Sequence, residues 1–262
     1  MDMNQKERCE KLIALLIAEQ PERYAGLTIP PREDDQFRLL RALMNVREPR
    51  PVSEDFLRVQ DAFLQEETRK KGITNADTLT YSNNMSLWRG DITTLRCDAI
   101  VNAANNALLG CFCPNHGCID NAIHTYAGIQ LRLACKEIMD AQGHEERTGT
   151  AKLTPAYNLP CRYVLHTVGS IVQGQVTAED ERLLASCYRA CLDLAAEHVL
   201  RSVAFCCIST GEFHFPHELA AQIAISTVCS HEAVRQGRIR VIFNVFGEQD
   251  EAIYKRLLCA AD

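Results

Sequence analysis

The sequence predicts an α/β sandwich, a largely parallel sheet flanked by helices, preceded by a helical N-terminal extension. Three observations predict it. From about residue 85, short β-branched apolar runs alternate with stretches of helical periodicity. Those runs carry few polar positions, as strands buried on both faces do. Before residue 85 the pattern is helical and more charged. There, 28 of 84 residues are Asp, Glu, Lys or Arg, against 34 of the remaining 178, which sets the two regions apart. We therefore divide the chain into an extension, 1–84, and a main domain, 85–262.

In the extension, helices are expected at about 4–20, 33–47 and 53–71. Pro30-Pro31 and the segment Pro49 to Pro51 separate them, because proline disfavours helix at its own position and just before it. Ser53, ahead of Glu54 and Asp55, fits a helix N-cap. No catalytic motif is visible here, and the region reads as a helical layer packed on the main domain. In that domain, strands are expected at 85–88, 99–102, 163–168, 203–208 and 241–246. Helices are expected at about 119–140, 178–198, 216–236 and 248–260. In the first of these, Ile119, Ile123, Ala127 and Leu131 form an i, i+4 apolar stripe.

Composition narrows the function classes. The net charge of −6 argues against a general basic nucleic-acid surface. No apolar run reaches the length of a membrane span. The first twenty residues place charges on both sides of a short apolar run and lack a small-residue cleavage site, so they do not read as a signal peptide. The chain has 13 cysteines, an odd number that argues for reduced thiols and a cytoplasmic location. Cys187, Cys191, Cys206 and Cys207 sit in apolar surroundings and read as small buried side chains.

Ligands of such sheets bind at the carboxyl ends of the strands, and two loops fall there. The first begins with Asn102 and Asn105. It continues through Cys111, His116 and Cys118, three strong metal-ligand types within eight residues. Thiolate and imidazole favour Zn²⁺, and three protein ligands leave one position open for chemistry. Pro114 and Asn115 favour a turn that returns His116 toward Cys111. Cys113 is either a fourth ligand or points away, and a Cys-rich loop without metal is the plain alternative. Asp120 and His124 share one helix face. Asp120 serves either the site or the helix N-terminus, and His124 equally reads as a hydrogen-bonded, semi-buried histidine.

The second loop is Ser209, Thr210, Gly211, Glu212 and Phe213, followed by His214, Phe215 and Pro216. Gly211 permits a tight turn, and Pro216 suits the first position of the next helix. Backbone amides in such a turn, with the helix N-terminus behind them, suit a diphosphate. Phe213 and Phe215 are candidates to flank a ribose or a base. Structural turns of this composition are common, so the loop carries weight chiefly alongside the first one.

Five segments, WRGDIT (88–93), VNAANNALLG (101–110), IDNAIHTYAG (119–128), YVLHTVGSIV (163–172) and ISTGEFHFP (208–216), resemble macrodomain motifs in macrodomain order. Where most macrodomains carry a glycine run, this chain has residues 110–118 with their cysteines and histidine. That substitution resembles the zinc-containing macrodomains, a bacterial and fungal class of protein ADP-ribosylhydrolase. The helical extension and the SCYRACLDLA segment fit that class as well. The resemblance covers 85–262 strongly and the extension loosely.

It implies a three-layer α/β/α fold with a mixed, largely parallel sheet that binds ADP-ribose. By resemblance, Asp91 accepts from the adenine amino group, with Ile92 beside it. Asn102, Ala103 and Asn105 line the distal ribose. Asp120 matches the acidic residue that positions or activates water, with Asn105 as its catalytic companion. Ser209 to Phe213 wrap the diphosphate, and Cys111, His116 and Cys118 hold Zn²⁺. Glu212 brings negative charge to that diphosphate loop, and His214 stands where relatives more often have a smaller residue, so it could narrow the cleft. The implied activity is glycosidase-like removal of mono-ADP-ribose from protein side chains, acidic ones first. A lipoate-carrying protein is one target the resemblance suggests. Alternatives are a module that reads ADP-ribose without cleaving it, or an O-acetyl-ADP-ribose deacetylase.

Overall fold

The computed structural model describes residues 3–259. In chain order the elements are α1 (Gln5–Ala18), α2 (Glu33–Val46), α3 (Glu54–Lys71), β1 (Thr74–Asn75), β2 (Met85–Arg89), β3 (Leu95–Arg96), β4 (Ala99–Ala104), α4 (Ile119–Ala127), α5 (Ile129–Gln142), β5 (Ala151–Pro155), β6 (Tyr163–Val168), α6 (Ala178–Glu197), β7 (Ser202–Phe205), α7 (His217–Ser230), α8 (Glu232–Arg235), β8 (Arg240–Val245) and α9 (Glu248–Cys259). Six strands form one sheet in the order β2-β8-β7-β4-β6-β5. Every pairing in it is parallel except β5 with β6. The helices α6, α7 and α9 pack together against the sheet, while α4 and α5 pair with each other and reach β4 and β5. The result is the expected three-layer α/β/α arrangement. The two-residue strands β1 and β3 pair separately, in parallel.

The central strands form where the sequence is β-branched and apolar. Ala99, Ile100, Val101, Val164, Leu165, Val203, Val241 and Ile242 are fully buried at the middle of the sheet. Side-chain caps set several helix starts. Ser53 accepts a hydrogen bond from the Phe56 amide, as its position ahead of two acids predicts, and Thr177 forms a capping box with Asp180.

Four expectations need correction. The helix at 119–140 is two helices, broken at Gly128, whose φ of 94° no other residue adopts easily. The helix at 216–236 breaks at His231, and Pro216 is its N-cap rather than its first residue. The strand at 203–208 ends at Phe205, because the chain turns away there to build a loop. Strand β5 was not anticipated: Lys152 and Pro155 interrupt its apolar pattern, which only an antiparallel edge strand tolerates. Residue 260 of the last helix lies outside the described residues.

The extension has its own core. Leu12, Ile13, Leu40, Leu43, Phe56, Phe63 and Leu64 are buried among α1, α2 and α3, joined by Ile129 from α5. Its seam with the main domain carries buried polar contacts. Arg132 donates to the backbone carbonyls of Met44 (3.2 Å), Asn45 (2.8 Å) and Arg47 (2.6 Å), which caps the C-terminal end of α2. The Gln60 side chain accepts from the Ile129 amide (3.0 Å), and Asn45 donates to Thr125 (3.1 Å). Leaving this guanidinium buried without its three carbonyls would cost several kcal/mol, which holds α2 in place.

Candidate active site

Four neighbouring strands, β2, β8, β7 and β4, run parallel and point their carboxyl ends at one cleft of about 1060 Å³. That volume matches a ligand of nucleotide size. The segments after these strands line it: Gly90 to Ile92, Phe246 and Gly247, Cys206, Cys207 and Ser209 to Phe213, and Asn105 to Asp120 in part. Of the residues singled out in the sequence, Asp91, Ile92, Ala103, Asn105, Cys111, His116, Cys118, Asp120 and Ser209 to Phe213 all face the cleft.

Asn102, His214 and Phe215 do not, nor do Cys113 and His124. Asn102 lies beneath the cleft, fully buried, and donates to Asp120 (2.8 Å) while touching the His166 ring nitrogen (3.1 Å). Phe215 packs in the core at 1% exposure and flanks no ligand. His214 is exposed and does not narrow the cleft.

At one end, Asp120 sits in the first turn of α4 at 5% exposure. Burial pushes its carboxyl up to about 6, against the hydrogen bond from Asn102 and the nearby Arg132, which pull it down. Asn102 occupies Oδ1, whereas Oδ2 meets only Asn105 at a long 3.5 Å. One carboxylate oxygen is therefore held and the other is available. Asn105 is fixed by its own loop: its side chain accepts from the Ala107 amide (3.1 Å) and donates to the Gly110 carbonyl (3.1 Å). Beneath this end, His124, Cys135 and His166 form a fully buried group that the sequence did not reveal. Burial drives His166 down to about 4 and His124 well below its ordinary value, so both are neutral.

Cys111, His116 and Cys118 also converge here, their donor atoms within 4.8 Å of one another. The donor set suits Zn²⁺. His116 Nδ1 is buried and has no hydrogen-bond partner, so a ligand nitrogen stands ready. Its other nitrogen, Nε2, lies 3.5 Å from the Glu212 carboxylate, the kind of outer partner that fixes a ligating imidazole. Cys118 is the N-cap of α4, its sulfur accepting from the Asn121 amide (3.4 Å). Burial pushes its thiol up to about 12, and a bound cation would reverse that by drawing off the proton. The residues present fit the metal. Cys113 is exposed and stands outside this group.

The middle of the cleft is the loop after β7. Gly211 does not take the left-handed conformation there; Ser209 (φ 66°) and His214 (φ 56°) do. Ser209 fits because Gly169 lacks a side chain: a Cβ there would lie 2.0 Å from the Ser209 hydroxyl. Phe213 accepts from Val172 (2.9 Å) and Ser209 from Phe215 (2.9 Å), which pins the loop at both ends. The amides of Thr210, Gly211, Glu212 and Phe213 donate to no backbone acceptor among the described residues, so they are free to meet an anion.

At the far end, Asp91 caps a short 3-10 turn through Thr93 and pairs with Lys71 of the extension (2.7 Å). Burial alone would raise this carboxyl, but Lys71 and Thr93 outweigh it and hold it below its ordinary value. Lys71 also lies 3.3 Å above the Tyr126 ring. Phe246, 83% exposed, offers a flat apolar face at the margin, and His217 bonds Asp250 (2.6 Å) nearby. Sequence reasoning missed Lys71, Phe246, His217 and Arg41 as lining residues.

A cleft with a held asparagine, a half-free carboxylate and a loop of open amides at parallel strand ends narrows the kinship, and the sequence comparisons decide it. The Macro domain model matches residues 101–224. A protein-ADP-ribose hydrolase of Treponema medium is 55% identical over 261 residues, covering 98% of this chain and 100% of that one. The chain belongs to the macro domain family. Among solved structures, the Oceanobacillus iheyensis macrodomain with ADP is 37% identical, with a TM-score of 0.61, covering 68% of this chain and 90% of that one. The Trypanosoma brucei macrodomain in complex with ADP-ribose is 29% identical, with a TM-score of 0.63, covering 83% and 94%. In this macrodomain, then, the fold and the order of the strand-end loops are those expected from the resemblance.

Proposed function

We propose that this macrodomain is a zinc-dependent hydrolase that removes mono-ADP-ribose from modified protein side chains, acidic ones first. The observation that carries the reading is the convergence of Cys111, His116 and Cys118 on the same end of the cleft as Asn105 and Asp120. The name of the Treponema medium relative and the ligand of the Trypanosoma brucei structure support the substrate class.

The chain's own residues divide the work. Asp91 and Phe246 receive the adenine, and the open amides of Thr210 to Phe213 receive the diphosphate. Asn105 orients the distal ribose, since its side chain is fixed before any ligand arrives. Asp120 offers its less engaged Oδ2 to a water and takes its proton as the water oxygen bonds to the anomeric carbon and the bond from that carbon to the side-chain oxygen breaks, the side-chain carboxylate leaving. Cys111, His116 and Cys118 would hold Zn²⁺, which would supply Lewis-acid polarisation of an oxygen at this end of the cleft. Glu212 opposes the charge of the diphosphate, and its position beside His116 draws the carboxylate toward the metal side instead.

The thirteen cysteines stand as free thiols, which supports a cytoplasmic site of action. A lipoate-carrying protein is the target to try first, on the family resemblance alone. The test is product analysis on proteins mono-ADP-ribosylated through defined side chains. Free ADP-ribose from an acidic linkage is the expected result. Tight ADP-ribose binding without any release would identify a reader, and cleavage confined to O-acetyl-ADP-ribose would identify a deacetylase.

A further inference from the structure

We infer that the helical extension is a working part of the metal centre, and that Arg41 is its positioning residue. The inference rests on the zinc reading above. Arg41 lies on α2, half-buried, and is among the residues facing the cleft. Its guanidinium donates twice to the Asn121 side-chain oxygen, from Nε at 3.1 Å and from a terminal nitrogen at 2.7 Å. That same terminal nitrogen donates to the backbone carbonyl of His116 at 2.8 Å. One side chain thus touches the backbone of one ligand, His116, and the residue whose amide bonds the sulfur of another, Cys118.

Asn121 is the hub. It is fully buried, its amide donates to the Cys118 sulfur (3.4 Å), and its side-chain nitrogen donates to the Cys113 carbonyl (2.9 Å). Two further contacts from the seam hold the same loop. Asn45 of α2 accepts from the Asn115 amide (3.0 Å), and Arg132 stacks on the Phe112 ring at 4.2 Å while capping α2. The metal loop has few supports of its own, since residues 112–115 are exposed and Asn115 is left-handed at φ 55°. Part of its shape is therefore imposed by α2, through Arg41 and Asn45. Groups that orient metal ligands in this way change affinity by roughly 10–100-fold when removed. Arg is suited to the task because its rigid planar fork holds two acceptors in a fixed geometry, whereas lysine is a point charge on a flexible stem.

The test uses the full chain loaded with zinc and measures transfer of the metal to a chromogenic chelator, with cobalt substitution to report ligand geometry. Variants are Arg41→Gln, Arg41→Lys, and Arg38→Gln, an exposed arginine on the same helix as a control. The expected result is one tightly held zinc per wild-type chain. Arg41→Gln should release it roughly tenfold faster and shift the cobalt absorption, Arg41→Lys should recover part of the loss, and Arg38→Gln should match wild type. Unfolding of the zinc-free proteins separates loosening of the loop from loss of the fold. Should Arg41→Gln fail to fold, Arg41→Lys carries the same comparison. Wild-type release and cobalt spectra in both Arg41 variants would overturn the inference. A wild-type chain that takes up no zinc would instead overturn the metal reading on which it rests.

Discussion

The two loops that build the cleft follow neighbouring strands, yet they are held in opposite ways. The diphosphate loop, 209–213, is internal to the sheet domain. It takes its shape from left-handed Ser209 and His214, from the space left by Gly169, and from hydrogen bonds to Val172 and Phe215. The metal loop, 110–118, leans on the extension through Arg41 and Asn45, and on Arg132 of α5, which itself caps α2. The first loop is preformed by strain and packing, which suits rigid capture of an anion. The second is preformed by docking, so its quality depends on how well α2 sits. The lesson is that the chemical end of the cleft and the binding end can be perturbed separately.

The largest effect is expected at the chemical end. Asp120→Ala should lower turnover by roughly 10²–10⁴-fold, the range for losing a general base, while ADP-ribose binding measured by calorimetry persists. Equal loss of binding and turnover would remove the distinction between the two ends.

Acid should come next, and it should strike beneath the metal loop. His124 and His166 are buried and neutral, with His166 down at about 4. Both carry folded values below the unfolded one. Above about pH 6.5 neither state is protonated and they do not affect stability. As pH falls from 6.5 toward 4 the unfolded chain protonates His166, which stays neutral when buried; this removes roughly 1 kcal/mol of stability per pH unit, and His124 acts in the same direction. Urea midpoints should therefore drop between pH 7 and pH 5, and a His166→Gln variant should show a shallower fall. Asp120, held up at about 6, takes its proton first in the folded state and offsets part of this fall below pH 6, so identical pH profiles for wild type and His166→Gln are the result that would contradict the burial of His166.

Gly169→Ala targets the other loop. Its new Cβ would press on the Ser209 hydroxyl and on Ile208. The expected cost is about 1–3 kcal/mol of stability, together with weaker ADP-ribose binding and unchanged zinc content. Loss of zinc in this variant would show that the loops are coupled after all.

The smallest effect is expected from Lys71→Met. The Lys71–Asp91 pair is part-exposed, at 30% and 35%, so it contributes up to about 1 kcal/mol. ADP-ribose affinity should fall only a few-fold, and a larger fall would mean that Lys71 touches the ligand directly.

Much of this arrangement could be read from the chain because its signals are local. Strand 163–168, the Ser53 cap, and the order of the loops around Asn105, Asp120 and Ser209 all follow from patterns a few residues long. What escaped depends on distant partners. Arg41 and Lys71 look like charges on a solvated helix face until α2 and α3 are docked. Phe246 read as the last residue of a strand, yet β8 stops at Val245 and leaves the ring exposed. Asn102 belongs to a site motif, but the alternation of β4 turns its side chain inward to Asp120 and His166. The break at Gly128 was hidden because apolar spacing continues across it, from Ile123 and Ala127 to Leu131.

The measurement that bears most directly on the central claim is release of free ADP-ribose from a mono-ADP-ribosylated protein by the wild-type chain, before zinc removal, after it, and after zinc is restored. Release that stops on removal and returns with zinc is the result this account requires. Release that continues undiminished in a fully stripped, folded protein would contradict it, and would leave Asp120 and Asn105 to carry the reaction without the metal loop.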